Sequence, residues 1–347
     1  MSIKLQRLLY RVARLLGGAR LTTAQYAVQA LVKDGVGQEN VRGEHLAFIY
    51  SSMIPWKNVP DFSVNCRTWL PEVSGGYQKN VPVSGVIVET REHPALEFVV
   101  NQVALKLQIP ILLIHGLKNR EFILSTTISR LIDKGKVVLI PLTLDSLSAS
   151  QYNALLLTKE FWQFIGGEKV LVFQTDSVLC EQSDYALSDF LTYDYIGSEW
   201  FRFRPQNFLA DGGVGGLSVR DSDKMISCLD RFPPCHWCGG EDGYFAFHLD
   251  VMGAKIGRGI ECSKFSTQFA FQCRSFGAHC ITDLDLPALQ RFLRYAPEAG
   301  QIALTLWPPA QKPAIRHSEE CSGARVVRRC VRSVPLINRY LDMLLRT

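Results

Sequence analysis

Between residues 81 and 173 the apolar positions switch repeatedly between two periods. Val86-Ile87-Val88 is a short β-branched run, and residues 94–107 follow with helical spacing. A second buried-strand run at 109–114 precedes a predicted helix over 120–133. The pair repeats as a strand over 136–142 and a helix over 149–164, which Gly166-Gly167 closes. Val170-Leu171-Val172-Phe173 makes a fourth strand. Strands alternating with helices of this length predict an α/β fold with a doubly wound, mostly parallel sheet. Such sheets bind ligands beyond the carboxyl ends of their strands. The positions to watch are therefore Glu89-Thr90-Arg91, His115-Gly116 and Gln174-Thr175-Asp176. Past residue 180 the alternation breaks. Tyr195-Ile196-Gly197 reads as a short strand, residues 212–220 as a glycine-rich loop entering a strand, and 223–229, 241–252 and 287–295 as helices. The pattern is a regular first half joined to an irregular second half.

The two ends differ from this middle. Ile3, Leu5, Leu8, Leu9, Val12, Leu15 and Leu16 fall on one helical face with Lys4, Arg7, Arg11 and Arg14 between them. A helix docked on the protein and a helix lying on an anionic membrane surface both fit. Residues 1–34 thus form a basic amphipathic region, 35–80 a linker and irregular cap, 81–300 the main domain, and 301–347 a basic extension carrying Arg325, Arg328, Arg329 and Arg332. With 47% hydrophobic and 20% charged residues, wholesale disorder is excluded. A net charge of +5 concentrated at the ends suits an anionic surface and argues against nucleic acid as partner. No apolar run is long enough to span a bilayer, and arginines interrupt the N-terminal stretch before a signal-peptide core can form. Ten cysteines without framework spacing indicate a reducing compartment, so the expected location is cytoplasmic with peripheral membrane association.

Four local features could carry chemistry. Asp176 follows a buried strand in Phe173-Gln174-Thr175-Asp176-Ser177, where a carboxylate either ligates a divalent cation or caps the next turn. Gly212-Gly213-Val214-Gly215-Gly216-Leu217-Ser218-Val219-Arg220 lets backbone amides approach a ligand, with Arg220 available to phosphate; an ordinary flexible turn fits equally. It matches neither the P-loop nor the dinucleotide fingerprint. Trp237-Cys238-Gly239-Gly240-Glu241-Asp242 opens a helix. Acids there are stabilised by the helix dipole, yet the preceding aromatic and glycines leave room for a sugar ring beside a general base, Asp242. His279 closes Phe276-Gly277-Ala278-His279, and isolated histidines are more often structural than ligands. Cys235-His236-Trp237-Cys238 has half the spacing of a zinc site and lacks a second pair.

Taken in order, Val88-Glu89-Thr90-Arg91, Phe173 to Ser177, Tyr193-Asp194-Tyr195-Ile196-Gly197, Gly215 to Arg220, Glu241-Asp242 and Phe276 to His279 resemble the hallmarks of an uncharacterised family of GT-A-like glycosyltransferases of bacteria and giant viruses. The resemblance covers residues 83–279. It implies a Rossmann-like nucleotide-sugar half and an irregular acceptor half. Thr90, Arg91, Thr175, Asp176, Gly215, Gly216 and Arg220 would border the nucleotide-sugar, a UDP-sugar in the first instance. Asp176 and His279 would hold Mn²⁺ or Mg²⁺. Asp242 would be the base of an inverting displacement, with Glu241 and Trp237 on the acceptor, a glycan or lipid-linked saccharide in surface polysaccharide synthesis. The sequence departs from the family where Val178 takes the second acidic position of the metal motif and Val214 the place of the loop asparagine. A nucleotidyltransferase and a non-catalytic nucleotide-sugar-binding module are the alternatives.

Overall fold

The computed structural model describes residues 50, 59–72, 81–200, 212–269 and 271–305. The amphipathic N-terminal segment and the C-terminal arginines lie outside them. Among the described residues no helix is long and apolar enough to cross a membrane.

The fold is α/β, built on a six-stranded sheet with two packed faces. In chain order β1 is Val83–Glu89, β2 Ile111–His115, β3 Val137–Pro141 and β4 Lys169–Phe173. The short β5, Ser177–Leu179, belongs to a second sheet; β6 is Tyr195–Glu199 and β7 Gly212–Asp221. The main sheet runs β3-β2-β1-β4-β7-β6. The pairs β3–β2, β2–β1 and β1–β4 are parallel, whereas β7 is antiparallel to both β4 and β6. The first four strands read as unbroken apolar runs because both faces are covered. Val86, Leu112, Ile114, Val170 and Val172 enter one core, while Ile87, Ile111, Leu113, Leu171 and Phe173 enter the other.

Two predicted helices prove to be pairs. The 120–133 stretch divides into α2, Arg120–Ser125, and α3, Ile128–Asp133, because Thr126 is extended and returns its hydroxyl to the Ile123 carbonyl. The 149–164 stretch divides into α4, Ala149–Leu156, and α5, Lys159–Ile165; Thr158 leaves the helix to cap α5 through the Phe161 amide. Serine and threonine hydroxyls compete with the helical ladder in this way, a break that apolar periodicity does not register. The other helices are α1, Leu96–Lys106, α6, Ser222–Arg231, α7, Glu241–Val251, α8, Ile260–Phe265, α9, Leu286–Tyr295, and α10, Gly300–Thr305. The described part of the cap is packed in place: Trp69 is buried and its carbonyl accepts from the Thr143 amide.

The larger correction concerns the glycine tract. It is no loop: Gly212 to Asp221 is one buried strand, inserted between β4 and β6. Because β7 runs antiparallel, its Leu217–Asp221 half pairs with β4, and Gly215 and Gly216 extend beyond β4's carboxyl end. A second sheet, β5-β9-β8, forms from β8, Ser266–Thr267, and β9, Gly277–His279.

Candidate functional site

A cleft of about 620 Å³ opens at the carboxyl ends of β1 and β4. Glu89, Thr90 and Arg91 line it from β1, Gln174, Thr175 and Asp176 from the end of β4, Gly215 and Gly216 from β7, and Glu241 and Asp242 from α7. His279 enters from β9, and Tyr152 and Asn153 from α4. Asp176, Asp242 and His279, which lie more than a hundred residues apart at the extremes, thus share one cavity.

The small sheet closes the longest of these gaps. β5 and β9 pair antiparallel with Ser177 opposite His279, and the Cys280 amide donates to the Asp176 carbonyl at 3.1 Å. Residues directly opposite in such a pair sit about 5 Å apart. Asp176, one residue before the strand, therefore meets the imidazole: its Oδ1 lies 3.2 Å from His279 Nε2. Burial opposes the imidazolium, but the Asp176 carboxylate outweighs it and holds the His279 pKa above its usual value. Burial likewise works against ionised Asp176, and His279 overrides it, lowering the carboxyl's pKa. Gly216 is a glycine because a Cβ there would stand 1.9 Å from His279 Nε2. Its carbonyl accepts from Ser177 Oγ at 2.8 Å, tying β7 to the Asp176 turn.

Asp242 is oriented at both oxygens. Oδ1 accepts from the Gly243 amide at 2.7 Å and Oδ2 from the Gly215 amide at 3.3 Å. The second contact exists because Gly215 has no side chain; a Cβ would meet Glu241 Oε1 at 2.6 Å.

At the other rim, Glu89 is buried and receives Arg91 through three donors, its amide at 2.9 Å, Nε at 2.8 Å and an Nη at 2.7 Å. That hydrogen bonding holds the guanidinium in its charged form at the exposed edge of the cleft. Thr90 Oγ1 accepts from the Leu147 amide at 3.0 Å, pinning the loop ahead of α4. Thr175 is buried and its hydroxyl points to Glu89 Oε2 at 3.4 Å.

Two expected ligand contacts are corrected. Arg220 is fully buried and does not line the cleft. Its guanidinium pairs with both oxygens of Glu241, at 2.5 and 3.0 Å, and lies 5.1–5.8 Å from the ring centres of Tyr195, Trp162 and Phe245. Near the end of a strand paired on both sides, with Val170 and Tyr195 as its neighbours, it turns inward and sets the start of α7 instead of meeting phosphate. Glu241 keeps a place on the cavity wall, but its carboxylate is committed to Arg220 and its amide to Asn153 Oδ1 at 3.0 Å. Trp237 is buried against Tyr50, Tyr244, Phe247 and His248, and its indole N–H donates to the Gly240 carbonyl. It cannot contact an acceptor as expected. The aromatic walls of the cleft are Trp200, Phe269 and Tyr152, which carry no local motif and were missed for that reason. Glu89 was marked as a strand-terminal acid without a role, whereas nothing local marks Gln268, which was missed.

The pair Asp176 and His279 fits a divalent cation on two counts. Oδ1 and Nε2 are both buried without a hydrogen bond, and their 3.2 Å separation matches the edge of an octahedron, about 3.0 Å for bonds of ~2.1 Å. Among the described residues no three His, Cys, Asp or Glu side chains form such a group, Cys235 and Cys238 included. The chain would thus supply two ligands and leave the rest to water and substrate oxygens, as Mg²⁺ sites commonly do.

Residues 137–279 match the model of a family described as protein of unknown function, DUF5672. No curated protein matches the chain. Among solved structures, it is similar to a Bacillus anthracis protein assigned as a glucose-1-phosphate thymidylyltransferase, in complex with sucrose. The identity is 13% over 51% of this chain and 86% of that one, with a TM-score of 0.37. It is also similar to S. aureus TarS with UDP (13% identity, TM-score 0.33) and with UDP-GlcNAc (12%, 0.32), each over 72% of this chain and 70% of that one. Strand order and polarity define the fold, and the family match spans less than half of the chain.

Proposed function

We propose that the protein is an inverting glycosyltransferase that takes a nucleotide-sugar, a UDP-sugar first among them, as donor and a saccharide hydroxyl as acceptor. The observation that carries this reading is the convergence of Asp176, His279 and Asp242 on one cleft at the strand ends. Arg91, charged and exposed at the rim, keeps its Nε edge on Glu89 and leaves its remaining guanidinium N–H groups to diphosphate oxygens. Mn²⁺ or Mg²⁺ held by Asp176 and His279 would supply positive charge against the departing diphosphate.

Asp242 acts on the acceptor. One carboxylate oxygen takes the hydroxyl proton as the acceptor oxygen bonds to the anomeric carbon. The bond from that carbon to the diphosphate breaks, and its electron pair leaves with the nucleotide. Backbone amides of Gly215 and Gly243 hold the carboxylate still during this step. A single displacement requires no protein nucleophile. Nucleotidyl transfer is less well supported, because the turn after β1 is Glu89-Thr90-Arg91-Glu92 and not a glycine-rich basic loop.

The test is a thermal-shift screen of nucleotide-sugars with Mn²⁺, followed by transfer assays with Asp242→Asn. The variant is expected to keep donor binding and lose about 10²–10⁴-fold of transfer. If no nucleotide-sugar shifts the melting curve, or if the variant transfers at the wild-type rate, the proposal is wrong.

A further inference from the structure

We propose that Gln268, anchored by Asp283, is a positioning residue that confines the His279 proton to Nδ1 and so leaves Nε2 to share a divalent cation with Asp176. The inference rests on the cation-binding part of the proposed function and adds two residues to it.

The argument starts from the amide. Gln268 Nε2 lies 2.9 Å from Asp283 Oδ2, and Gln268 Oε1 lies 3.1 Å from His279 Nδ1. An ionised carboxylate only accepts hydrogen bonds, so the NH₂ end of the amide must face Asp283 and the carbonyl end must face the ring. The carbonyl oxygen is an acceptor, and Nδ1 is therefore the protonated nitrogen. In a neutral imidazole that leaves Nε2 with its lone pair.

That lone pair does not face a donor. It faces Asp176 Oδ1 at 3.2 Å, and both atoms are buried without a hydrogen bond. Two electron-rich atoms at this distance need positive charge between them: in the metal-free protein a second ring proton on Nε2, which the Asp176 carboxylate favours, supplies it, and a divalent cation takes its place when bound. A cation bridging them satisfies both atoms and explains why a glutamine relay sets the opposite nitrogen as the donor; histidine ligands are oriented in this manner by a partner on the other nitrogen. The backbone fixes the relay as well. β8 pairs in parallel with β9, Ser266 beside Gly277 and Thr267 beside Ala278, which carries Gln268 alongside His279. Gly216 lies against the ring from β7, at a spacing that admits no Cβ, so the imidazole cannot turn away.

The experiment measures Mn²⁺ binding by electron paramagnetic resonance on the full chain, in the presence of UDP, for wild type, Gln268→Met, Asp283→Asn and Asp176→Asn. Asp283→Asn sets opposite Gln268 an amide that can donate as well as accept, which frees the Gln268 amide to turn over with little change of shape. It is the second variant should Gln268→Met fail to fold. Expected are loss of binding in Asp176→Asn and about 10–100-fold weaker binding in the other two. Imidazole ¹⁵N spectra of the metal-free protein supply a signature that loosened packing would not mimic. Neutral His279 should carry its proton on Nδ1 in wild type and lose that confinement in Gln268→Met. Affinities within about twofold of wild type in both relay variants, with Asp176→Asn inactive in binding, would overturn the relay and leave the cation pair standing. A wild type that binds no Mn²⁺, or binds it regardless of Asp176, overturns both. A wild-type spectrum with the proton on Nε2 overturns the relay whatever the metal does. The donor screen stands apart, since nucleotide-sugar binding does not require the relay.

Discussion

Replacing Arg220 by methionine tests how the start of α7, and with it Asp242, is held. Arg220 has no exposed surface and gives two hydrogen bonds to Glu241, at 2.5 and 3.0 Å, inside a box of three aromatic rings. Methionine keeps most of the volume against the rings but leaves the Glu241 carboxylate buried and unpaired. Removing one partner of a buried pair destabilises by about 3–5 kcal/mol, equivalent to a melting-point drop of roughly 4–7 °C for a chain of 347 residues. The deficit should also depend on pH. Burial already pushes the Glu241 carboxyl above its usual 4.5, and Arg220 is the main influence in the other direction. Without Arg220 the folded-state pKa rises further. A raised carboxyl contributes stability fully below the unfolded value and loses it as pH climbs through the folded value, at about 1.4 kcal/mol per unit. Measured against wild type at each pH, the variant should be closest to normal near pH 5 and worst near pH 8. The double variant Arg220→Met with Glu241→Leu should recover most of the loss, since apolar replacement of a whole buried pair is often neutral. Thermal melts across pH decide it. A deficit below about 1 kcal/mol, one flat with pH, or a double variant no better than the single would refute the reasoning.

Other expectations follow from the same geometry. Gly216→Ala places a methyl group 1.9 Å from His279 Nε2; forcing the two apart should cost about 1–3 kcal/mol and weaken Mn²⁺-dependent donor binding, read by thermal shift with and without the metal. His248 is buried, accepts from the Tyr50 hydroxyl at Nε2 and has its pKa pushed down to about 3. An unfolded histidine binds its proton near 6.5, so folding stability should fall by up to about 1.4 kcal/mol per unit as pH drops from 6.5 toward 3; the acid limb of the melting profile should flatten in His248→Gln. Trp237→Ala should act as a core truncation worth about 3–5 kcal/mol, and Phe269→Ala, half-buried against the same core, as a site change with a smaller loss of melting temperature and a raised acceptor KM. The reverse assignment would show that Trp237 reaches the acceptor after all.

What could be read from the chain was whatever depends on neighbours in sequence. The β-branched runs and helical spacings between residues 81 and 173 specify a doubly wound sheet because hydrophobic periodicity is a local property. The strand ends they define mark Glu89-Thr90-Arg91 and Thr175-Asp176 as site positions, and both line the cleft. The glycines at 215 and 216 announced close approach, but not to what: the neighbours proved to be Asp242 and His279, brought there by an antiparallel strand. Arg220 and Trp237 were misplaced for one reason. Whether a polar or aromatic side chain turns toward solvent or core is set by which elements cover it, and those covering Arg220 come from residues 162, 195 and 245. Gln268 lay beyond reach altogether, since its role exists only once β8 is seated beside β9. Local pattern determined the sheet and its edge; long-range pairing alone decided which side chains meet there, because a contact across a hundred residues has no period to betray it.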